Sequence, residues 1–349
     1  MTNNDTYWMQ HALDLAALGE GLTRPNPPVG AVVVKHNRLI GEGFHPRAGM
    51  PHAEVLALRA AGDEANGATL YITLEPCCTQ GRTPPCTEAI IKAGIKRVVY
   101  GCVDPNPAHA GRADTILKKA GIDVVSGVLD ESCRTMIRPF ATRLLHNRPF
   151  VTLKLACSLD GRIADARGES KWITGTASRA AVQELRRSAD AILVGAETIR
   201  ADNPSLLPRP AYGRTPWRIV VAGSRPLPRR AKVFTDTHAD RTVIFSHESG
   251  TVSLKAMMRE LARQDCMHVV CEGGGVVARS LLKAGLVDQV WMFYAPKILG
   301  GDGRPSVAGK GWRLDHAPGF VVNHVERLGE DVLVVLNNAA SRPHYKHRS

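Results

Sequence analysis

Short apolar runs alternate with longer helical patterns through the first part of the chain. The runs predict strands, and the stretches between them predict helices. Strands are predicted at Gly30–Val34, Thr69–Thr73, Arg97–Tyr100 and Asp123–Ser126, with helices over about 6–18, 51–60, 86–93 and 113–120. This alternation predicts an α/β sandwich in which helices cover a sheet.

The pattern starts again at Asn147-Arg-Pro-Phe150. One hydrophobic core stops growing at roughly 250–300 residues, so a chain of 349 residues is expected to form two domains. The Pro-rich and Arg-rich stretch between Pro204 and Pro228 indicates a loop around one strand. Strands are predicted at Val151–Ala156, Ala191–Gly195, Arg218–Ala222, Arg241–Phe245, His268–Cys271, Gln289–Tyr294 and Asp331–Leu336, with helices at 176–187 and 276–284. We predict domains at 1–147 and 148–338, followed by a polar basic tail at 339–349.

The composition is that of an ordinary globular protein, with 44% hydrophobic, 22% charged and 5% aromatic residues. It excludes a disordered, collagen-like or coiled-coil chain. No run approaches the roughly 20 apolar residues that span a bilayer, and the polar N-terminus has no signal-peptide pattern. Eight cysteines are too sparse for a disulfide scaffold. We expect a cytoplasmic protein without membrane contact.

Positive charge exceeds negative charge, with 45 Lys and Arg against 33 Asp and Glu and a net charge of +12. Such an excess attracts nucleic acid or small phosphorylated ligands. The basic residues are spread along the chain without a long block. We expect most of this charge to be solvated surface, with the remainder serving anionic ligands.

Potential zinc ligands occur close to a potential proton carrier in two segments, His52-Ala-Glu54 and Pro76-Cys77-Cys78 with the following Pro-Pro-Cys86. One imidazole and two thiolates suit tetrahedral zinc and leave a fourth position for water, whose pKa zinc lowers to about 7. Glu54 can then take the water proton and pass it to a leaving amine. Each residue alone is better explained as an ordinary surface or core residue. Together, at the starts of predicted helices, they indicate catalysis.

The spacing of the cysteines leaves a choice of ligand. His-x-Glu followed by Pro-Cys-x-x-Cys is the signature of zinc deaminases, whereas here eight residues separate Cys77 from Cys86. Cys78 offers a nearer thiol. Adjacent cysteines rarely both reach one ion from a loop, and Cys86 follows Pro-Pro at a predicted helix N-terminus, where a thiolate is favoured. We favour Cys86 and keep Cys78 as the alternative.

With these motifs the chain resembles the bifunctional riboflavin-biosynthesis enzymes, in which a diaminohydroxyphosphoribosylaminopyrimidine deaminase is fused to a 5-amino-6-(5-phosphoribosylamino)uracil reductase. The likeness covers about residues 6–337. The extended Gly-x-Thr-Pro-Pro-Cys form separates this group from other zinc deaminases. In the first half the likeness rests on Asn26–Val34, His52–Glu54, Thr73–Cys77, Gly81–Cys86 and Asp104–Pro107.

The resemblance implies an α/β protein with a cytidine-deaminase-like α/β/α sandwich at the N-terminus and a dihydrofolate-reductase-like α/β domain at the C-terminus. It implies one Zn²⁺ per chain, held by His52, Cys77 and Cys86, with Glu54 as the proton shuttle.

The resemblance also assigns the deaminase substrate pocket. Its residues would be Asn26, His45, Arg82 and Thr83. An amide can read sugar hydroxyls or a ring edge, and an arginine can hold a phosphate with charge-assisted hydrogen bonds. The sequence Pro-Cys-Cys-Thr departs from the expected Pro-Cys-Ser-His, so Thr79 stands where a histidine usually helps to bind substrate.

The second half resembles the reductase. The matching segments are Leu153–Arg162, Ser170–Thr174, Ile192–Gly195, Thr198–Leu206, Glu272–Gly275 and Ala295–Gly301. No Gly-x-Gly-x-x-Gly follows a strand. The strand His268–Cys271 instead runs into Gly273–Gly275 and a helix, whose N-terminal N–H groups can face a pyrophosphate.

Two sets of reductase residues follow from the resemblance. The cofactor NADPH would contact Ala156, Trp172, Thr198, Asp202, Gly273, Gly274 and Gly275. The phosphorylated substrate would contact Ser170, Arg186, Leu206, Arg209 and Glu272. Lys154, on the first strand of this half, either assists hydride delivery or forms a structural ion pair.

These expectations describe a two-step enzyme. Hydrolytic deamination of 2,5-diamino-6-(5-phosphoribosylamino)pyrimidin-4(3H)-one by zinc hydroxide releases ammonia, and NADPH then reduces the ribosyl group to ribityl. The ligand is a phosphorylated pyrimidine rather than nucleic acid, and the resemblance implies a homo-oligomer.

Two rival functions have sequence features that distinguish them. A nucleic-acid or free-nucleoside deaminase fits the zinc motif and the basic charge, but it leaves residues 150–337 unexplained. A catalytically idle ligand-binding protein requires that complete zinc and proton-transfer residues persist without use. Salt-dependent RNA binding would favour the first rival, and absence of zinc or turnover would favour the second.

Overall fold

The computed structural model describes residues 3–80, 84–107, 109–211, 213–246 and 252–339. Its elements group into two units, Met1–Asn147 and Arg148–Ser349. Across the described ranges, every helix is too short or too polar to cross a lipid bilayer.

The first unit is built on a mixed five-stranded sheet in the order β2-β1-β3-β4-β5, in which β3, β4 and β5 are parallel and β1 is antiparallel to both neighbours. The strands are β1 (Gly30–Lys35), β2 (Arg38–Phe44), β3 (Thr69–Leu74), β4 (Arg97–Cys102) and β5 (Asp123–Ser126). The helices are α1 (Asn3–Ala17), α2 (Ala53–Ala61), α3 (Cys86–Lys92), α4 (Arg112–Lys119), α5 (Asp130–Met136) and α6 (Arg138–His146).

Successive side chains of a strand point to opposite faces of the sheet, and both faces of this sheet are buried. On β1, Val33 packs in a cluster with Ala57 of α2, while Val32 packs in another cluster with Met9 of α1. Helices therefore cover the sheet on two sides. The predicted α/β/α sandwich is confirmed.

Strand β2 is an element that the sequence pattern did not predict. Its residues are mostly exposed or half-buried, and Gly41 and Gly43 interrupt the apolar run. The structure explains Gly41, since a Cβ atom there would lie 2.3 Å from the carbonyl oxygen of Ala57. The glycine lets α2 pack directly on the strand.

The second unit is built on an eight-stranded sheet in the order β10-β9-β8-β11-β6-β12-β15-β14, and a separate pair joins β13 to β7. The strands are β6 (Phe150–Ser158), β7 (Arg162–Ala164), β8 (Ala191–Gly195), β9 (Trp217–Val221), β10 (Thr242–Phe245), β11 (His268–Cys271), β12 (Gln289–Ala295), β13 (Arg304–Pro305), β14 (Phe320–Leu328) and β15 (Asp331–Asn338). The helices are α7 (Thr176–Ser188), α8 (Ala196–Asp202), α9 (Lys232–Thr235), α10 (Leu254–Arg263) and α11 (Gly275–Lys283).

The large sheet is parallel from β10 to β12 and antiparallel only at β15 and β14. Helix α8 begins directly after β8, and helix α11 begins shortly after β11. The N-termini of both helices therefore lie at the carboxyl edge of neighbouring parallel strands. Ligands of open α/β sheets bind at this edge. The arrangement confirms the predicted α/β class and locates the second candidate site.

A buried ion pair stabilises the outer part of this sheet. The side chain of Arg218 on β9 is fully buried and donates to both carboxylate oxygens of Asp236, at 2.6 and 2.8 Å. It also donates to the carbonyl oxygens of Ser205, Val233 and His238. One guanidinium therefore ties the segments before and after β9 to the strand.

Candidate functional site

Three potential metal ligands meet near the carboxyl end of β3. His52 immediately precedes α2, Cys77 follows β3, and Cys86 is the first residue of α3. His52 Nδ1 lies 3.2 Å from Cys86 Sγ and 3.6 Å from Cys77 Sγ, and the three ligand atoms lie within 4.8 Å of one another. One imidazole nitrogen and two sulfur atoms at these distances fit tetrahedral zinc, with one position left open.

The ligand set also has suitable electrostatics. A hydrogen bond from Cys86, reinforced by His52, lowers the pKa of Cys77 to about 4. The pKa of Cys86 is raised by its hydrogen bond to Cys77 and by burial. The Cys77 thiolate thus accepts a hydrogen bond from the Cys86 thiol, and a bound zinc ion would take the place of the shared proton.

Glu54 lies next to these ligands without belonging to them. It is in the first turn of α2, its side chain is 4% exposed, and its carboxyl group hydrogen-bonds the Cys86 side chain. Burial raises the pKa of Glu54. A buried carboxyl group with a raised pKa can hold and release a proton beside the metal position.

The competing thiol, Cys78, points elsewhere. Its Sγ lies 3.7 Å from Nδ1 of His109, and it is outside the group formed by His52, Cys77 and Cys86. Burial raises the pKa of Cys78, which keeps its thiol protonated at neutral pH. The geometry favours Cys86 over Cys78 as the third ligand.

Asn26 and His45 lie beside the metal group. The His45 and His52 rings meet edge to face with centroids 5.3 Å apart. His45 Nδ1 lies 3.1 Å from the carbonyl oxygen of Pro51, which can only accept, so Nδ1 carries the proton. Its Nε2 then accepts from the Asn26 amide at 3.0 Å. Burial lowers the pKa of His45, consistent with this neutral ring.

The other two predicted pocket residues, Arg82 and Thr83, lie outside the described residues.

Sequence reasoning missed Glu75, two residues before Cys77. Its carboxylate accepts hydrogen bonds from the backbone N–H groups of Asp104, Gly111 and Ala113, at 3.2, 3.0 and 3.1 Å. It thereby fastens the loop after β4 to the segment that carries Cys77. The only sequence signal was its place in Leu-Glu-Pro-Cys, because the partners are distant in the chain.

In the second unit, a cavity of about 1090 Å³ lies at the carboxyl edge of the parallel strands. Its wall includes six of the seven predicted cofactor residues: Ala156, Trp172, Thr198, Asp202, Gly274 and Gly275. Gly274 immediately precedes α11 and Gly275 begins it, so the N-terminus of this helix lies at the cavity wall. A Cβ atom on Gly275 would lie 2.5 Å from the Pro305 carbonyl oxygen, so this glycine also allows close packing. A backbone cradle of this kind fits the pyrophosphate of NADPH.

All the predicted substrate residues of this unit line the same cavity: Lys154, Ser170, Arg186, Leu206, Arg209 and Glu272. Two of them pair with each other, because Arg186 donates to both carboxylate oxygens of Glu272 at 2.6 and 2.8 Å. Although burial opposes ionisation, Arg186 lowers the pKa of Glu272. Burial also lowers the pKa of Lys154, which lies near this pair.

The remaining cofactor residue, Gly273, lies outside the cavity wall. A Cβ atom on Gly273 would be 2.6 Å from Val194 Cα and 2.7 Å from the Gly195 nitrogen. The close approach of the loop to β8 explains why this position is a glycine. Its contact with the cofactor stays a prediction.

Replacing Gly273 by Ala is expected to destabilise the second unit by about 1–3 kcal/mol, because backbone atoms of β8 must move. Urea unfolding followed by circular dichroism measures the loss. Gly319→Ala is the matched control, since a Cβ atom there would meet nothing within 4 Å. Equal stability of the two variants would contradict the packing explanation.

Family models match both halves of the chain. Residues 2–102 match the cytidine and deoxycytidylate deaminase zinc-binding region, and residues 149–334 match the RibD C-terminal domain. The riboflavin biosynthesis protein RibD of Synechocystis is 42% identical over 95% of both chains, and that of Escherichia coli is 41% identical over 96% of this chain and 100% of its own.

Solved structures agree with these matches. Acinetobacter baumannii RibD superposes with a TM-score of 0.86 at 39% identity, covering 96% of this chain and 98% of its own. A Thermotoga maritima protein described as a diaminohydroxyphosphoribosylaminopyrimidine deaminase/5-amino-6-(5-phosphoribosylamino)uracil reductase has the same TM-score and identity, covering 96% and 99%.

The fold and the His/Cys/Cys group place the first unit in the class of zinc-binding deaminases, joined here to a second α/β unit with its own cavity. The chain belongs to the RibD family of riboflavin biosynthesis proteins.

Proposed function

We propose that this chain deaminates 2,5-diamino-6-(5-phosphoribosylamino)pyrimidin-4(3H)-one in residues 1–147 and reduces the product with NADPH in residues 148–338. The observation that carries the proposal is the His52, Cys77 and Cys86 group with buried Glu54 beside it. It occurs in a chain that is similar to RibD proteins over almost its whole length. The tail at 339–349 has no assigned role.

In the deaminase, His52, Cys77 and Cys86 would hold zinc. Zinc, when bound, would supply a water molecule acidic enough to act as a nucleophile near neutral pH. Glu54 would take a proton from the attacking water and deliver it to the leaving amino nitrogen, so that the amino-bearing carbon and water become a carbonyl group and ammonia. Asn26 and His45 line the substrate pocket, and His45, held in one tautomer by Pro51, orients the Asn26 side chain by accepting from its amide N–H. Arg82 and Thr83 complete the pocket in this proposal.

In the reductase, the nicotinamide supplies a hydride and the protein positions the reactants. Gly274 and Gly275 face the pyrophosphate, with Ala156, Trp172, Thr198 and Asp202 along the cofactor. Ser170, Leu206 and Arg209 bind the phosphorylated substrate, and Glu272 holds Arg186 in position for it. Lys154, which lines the same cavity, would assist hydride delivery.

We also infer a cytoplasmic location and a homo-oligomeric assembly. All eight cysteines are free of disulfide bonds, which supports a reducing cytoplasm. Val322 and Val325 on the outer strand β14 are 61% and 57% exposed, which supports a homo-oligomer that covers this strand. The partner molecule is the phosphorylated pyrimidine and not nucleic acid or a membrane.

Mass spectrometry of the phosphorylated diaminopyrimidinone tests both steps. After incubation with purified protein alone, one amino group should be replaced by oxygen. With NADPH added, two hydrogens should also be gained. Deamination without reduction by either nicotinamide would overturn the reductase assignment, and no reaction in a zinc-loaded sample would favour the nucleoside or nucleic-acid deaminase.

Replacing Cys86 by Ser is expected to lower bound zinc from about one ion per chain to a small fraction, because zinc binds thiolate far better than a hydroxyl group. Inductively coupled plasma mass spectrometry measures the metal content. Cys78→Ser is the control and should retain zinc, since Cys78 lies outside the ligand group. Zinc loss in Cys78→Ser but not in Cys86→Ser would show that Cys78, and not Cys86, is the zinc ligand.

A further inference from the structure

The loop after β4 places a second imidazole beside the metal-ligand segment. Both ring nitrogens of His109 lie 3.5 Å from the Thr79 hydroxyl oxygen, and Nδ1 lies 3.7 Å from Cys78 Sγ. Cys78 and Thr79 directly follow Cys77 in the chain. His109 thus contacts the two residues that follow the potential zinc ligand Cys77, although it is 30 residues away from Thr79 in sequence.

Hydrogen bonds of the loop backbone hold His109 in position. Glu75 fastens the loop on both sides of His109, through the N–H groups of Asp104 and Gly111. Within the loop, the His109 N–H donates to the Asn106 carbonyl oxygen at 2.9 Å. Because Glu75 and Cys77 lie on the same short segment, the loop that carries His109 is attached directly to the segment that carries one potential zinc ligand.

The His109 ring has a donor and an acceptor nitrogen when it is neutral. The Thr79 hydroxyl, which can donate or accept, lies 3.5 Å from each ring nitrogen, and Cys78 Sγ lies 3.7 Å from Nδ1. The ring N–H can therefore donate to an oxygen atom of a bound molecule. His109 is only half-buried, so a ligand can reach it.

We propose that His109 is a substrate-binding residue of the deaminase site and donates a hydrogen bond to an oxygen atom of the phosphorylated pyrimidine. This rests on the proposed deaminase function. Thr79 stands where a histidine is expected from the family resemblance, and His109 brings an imidazole into contact with Thr79 from another loop. Cys78 and Thr79 act as positioning residues that hold the His109 ring in place.

Steady-state ammonia release by the zinc-loaded full chain separates binding from chemistry. His109→Ala should raise KM about three- to tenfold, as expected for one lost hydrogen bond, and change kcat less than twofold. His109→Gln, which keeps a donor, should stay within twofold of the wild type. His146→Ala, an exposed histidine on α6, is the matched control and should have no effect.

A relocation experiment distinguishes recognition from folding. Thr79→His combined with His109→Ala should return KM to within twofold of the wild-type value, because it restores an imidazole at the same edge. Substrate Kd, measured by equilibrium dialysis in the Glu54→Gln background, should follow the same order. Zinc content and the reductase rate should be equal in all variants.

Unchanged KM and Kd in His109→Ala would overturn the inference, as would loss of zinc or of unfolding free energy in that variant. Failure of Thr79→His to restore binding would also overturn it. A wild-type protein that releases no ammonia would instead overturn the proposed deaminase function itself.

Discussion

Replacing Glu54 by Gln is expected to reduce ammonia release by about 10²–10⁴-fold or more while leaving one zinc ion per chain. The amide has nearly the shape of the carboxyl group, so His52, Cys77 and Cys86 keep their positions. It cannot accept the proton of the attacking water or pass it to the leaving nitrogen. A coupled assay for ammonia measures the rate, and metal analysis measures the zinc.

Two controls accompany this variant. Glu88→Gln changes an exposed carboxyl group in the first turn of α3, two residues after Cys86, and should retain wild-type turnover. The reductase rate on the deaminated product should be equal in both variants, because the second unit is untouched. Near-normal ammonia release by Glu54→Gln would remove Glu54 from the mechanism.

Replacing Asp236 by Ala is expected to destabilise the second unit by about 3–5 kcal/mol, because it leaves the buried guanidinium of Arg218 without its carboxylate. Urea unfolding at neutral pH measures the change. Asp315→Ala is the matched control, since Asp315 pairs with Arg313 on the exposed surface and should change stability by less than about 1 kcal/mol. Similar effects of the two substitutions would contradict the importance of burial.

The same pair predicts a pH dependence with a definite sign. Hydrogen bonds from Arg218 lower the pKa of Asp236 in the folded chain. The pair therefore contributes fully above the unfolded-state pKa of about 3.9, and its contribution is lost as the pH falls through the lower folded-state pKa. The difference in unfolding free energy between wild type and Asp236→Ala should shrink below about pH 4. A difference that grew on acidification would contradict this linkage.

The elements that sequence reasoning predicted well are buried strands with dense apolar runs. Residues 191–195 and 268–271 were predicted at the bounds that the structure has, because parallel strands buried on both faces read as continuous apolar runs. Several elements were missed, and three of them illustrate different reasons. Strand β2 contains glycines for helix packing, β14 lies exposed at the sheet edge, and α10 begins after a polar stretch.

The candidate sites show the same division. The ligand types, His52 with Cys77 and Cys86, were recognisable because few functions require an imidazole, two thiols and a carboxyl group at helix starts. The path of the loop after β3 decides which thiols face the His52 imidazole. It brings Cys77 there and turns Cys78 towards His109. The 12 cavity-lining predictions in the second unit came from family resemblance, and only the structure showed that Gly273 and Gly275 leave no room for a Cβ atom.

The sequence by itself determined the chemistry available to this protein: two α/β units, a zinc-ligand set with a proton carrier, and a glycine loop at a helix start. These depend on residue type and short spacing, which are local properties of the chain. The tertiary structure alone decided the hydrogen bonds of Glu75 to the loop after β4 and the approach of His109 to Thr79. It also decided the pairing of Arg186 with Glu272, which are 86 residues apart. Such contacts depend on how distant segments pack, and hydrophobic periodicity specifies which face of an element is buried but not which polar side chains meet there.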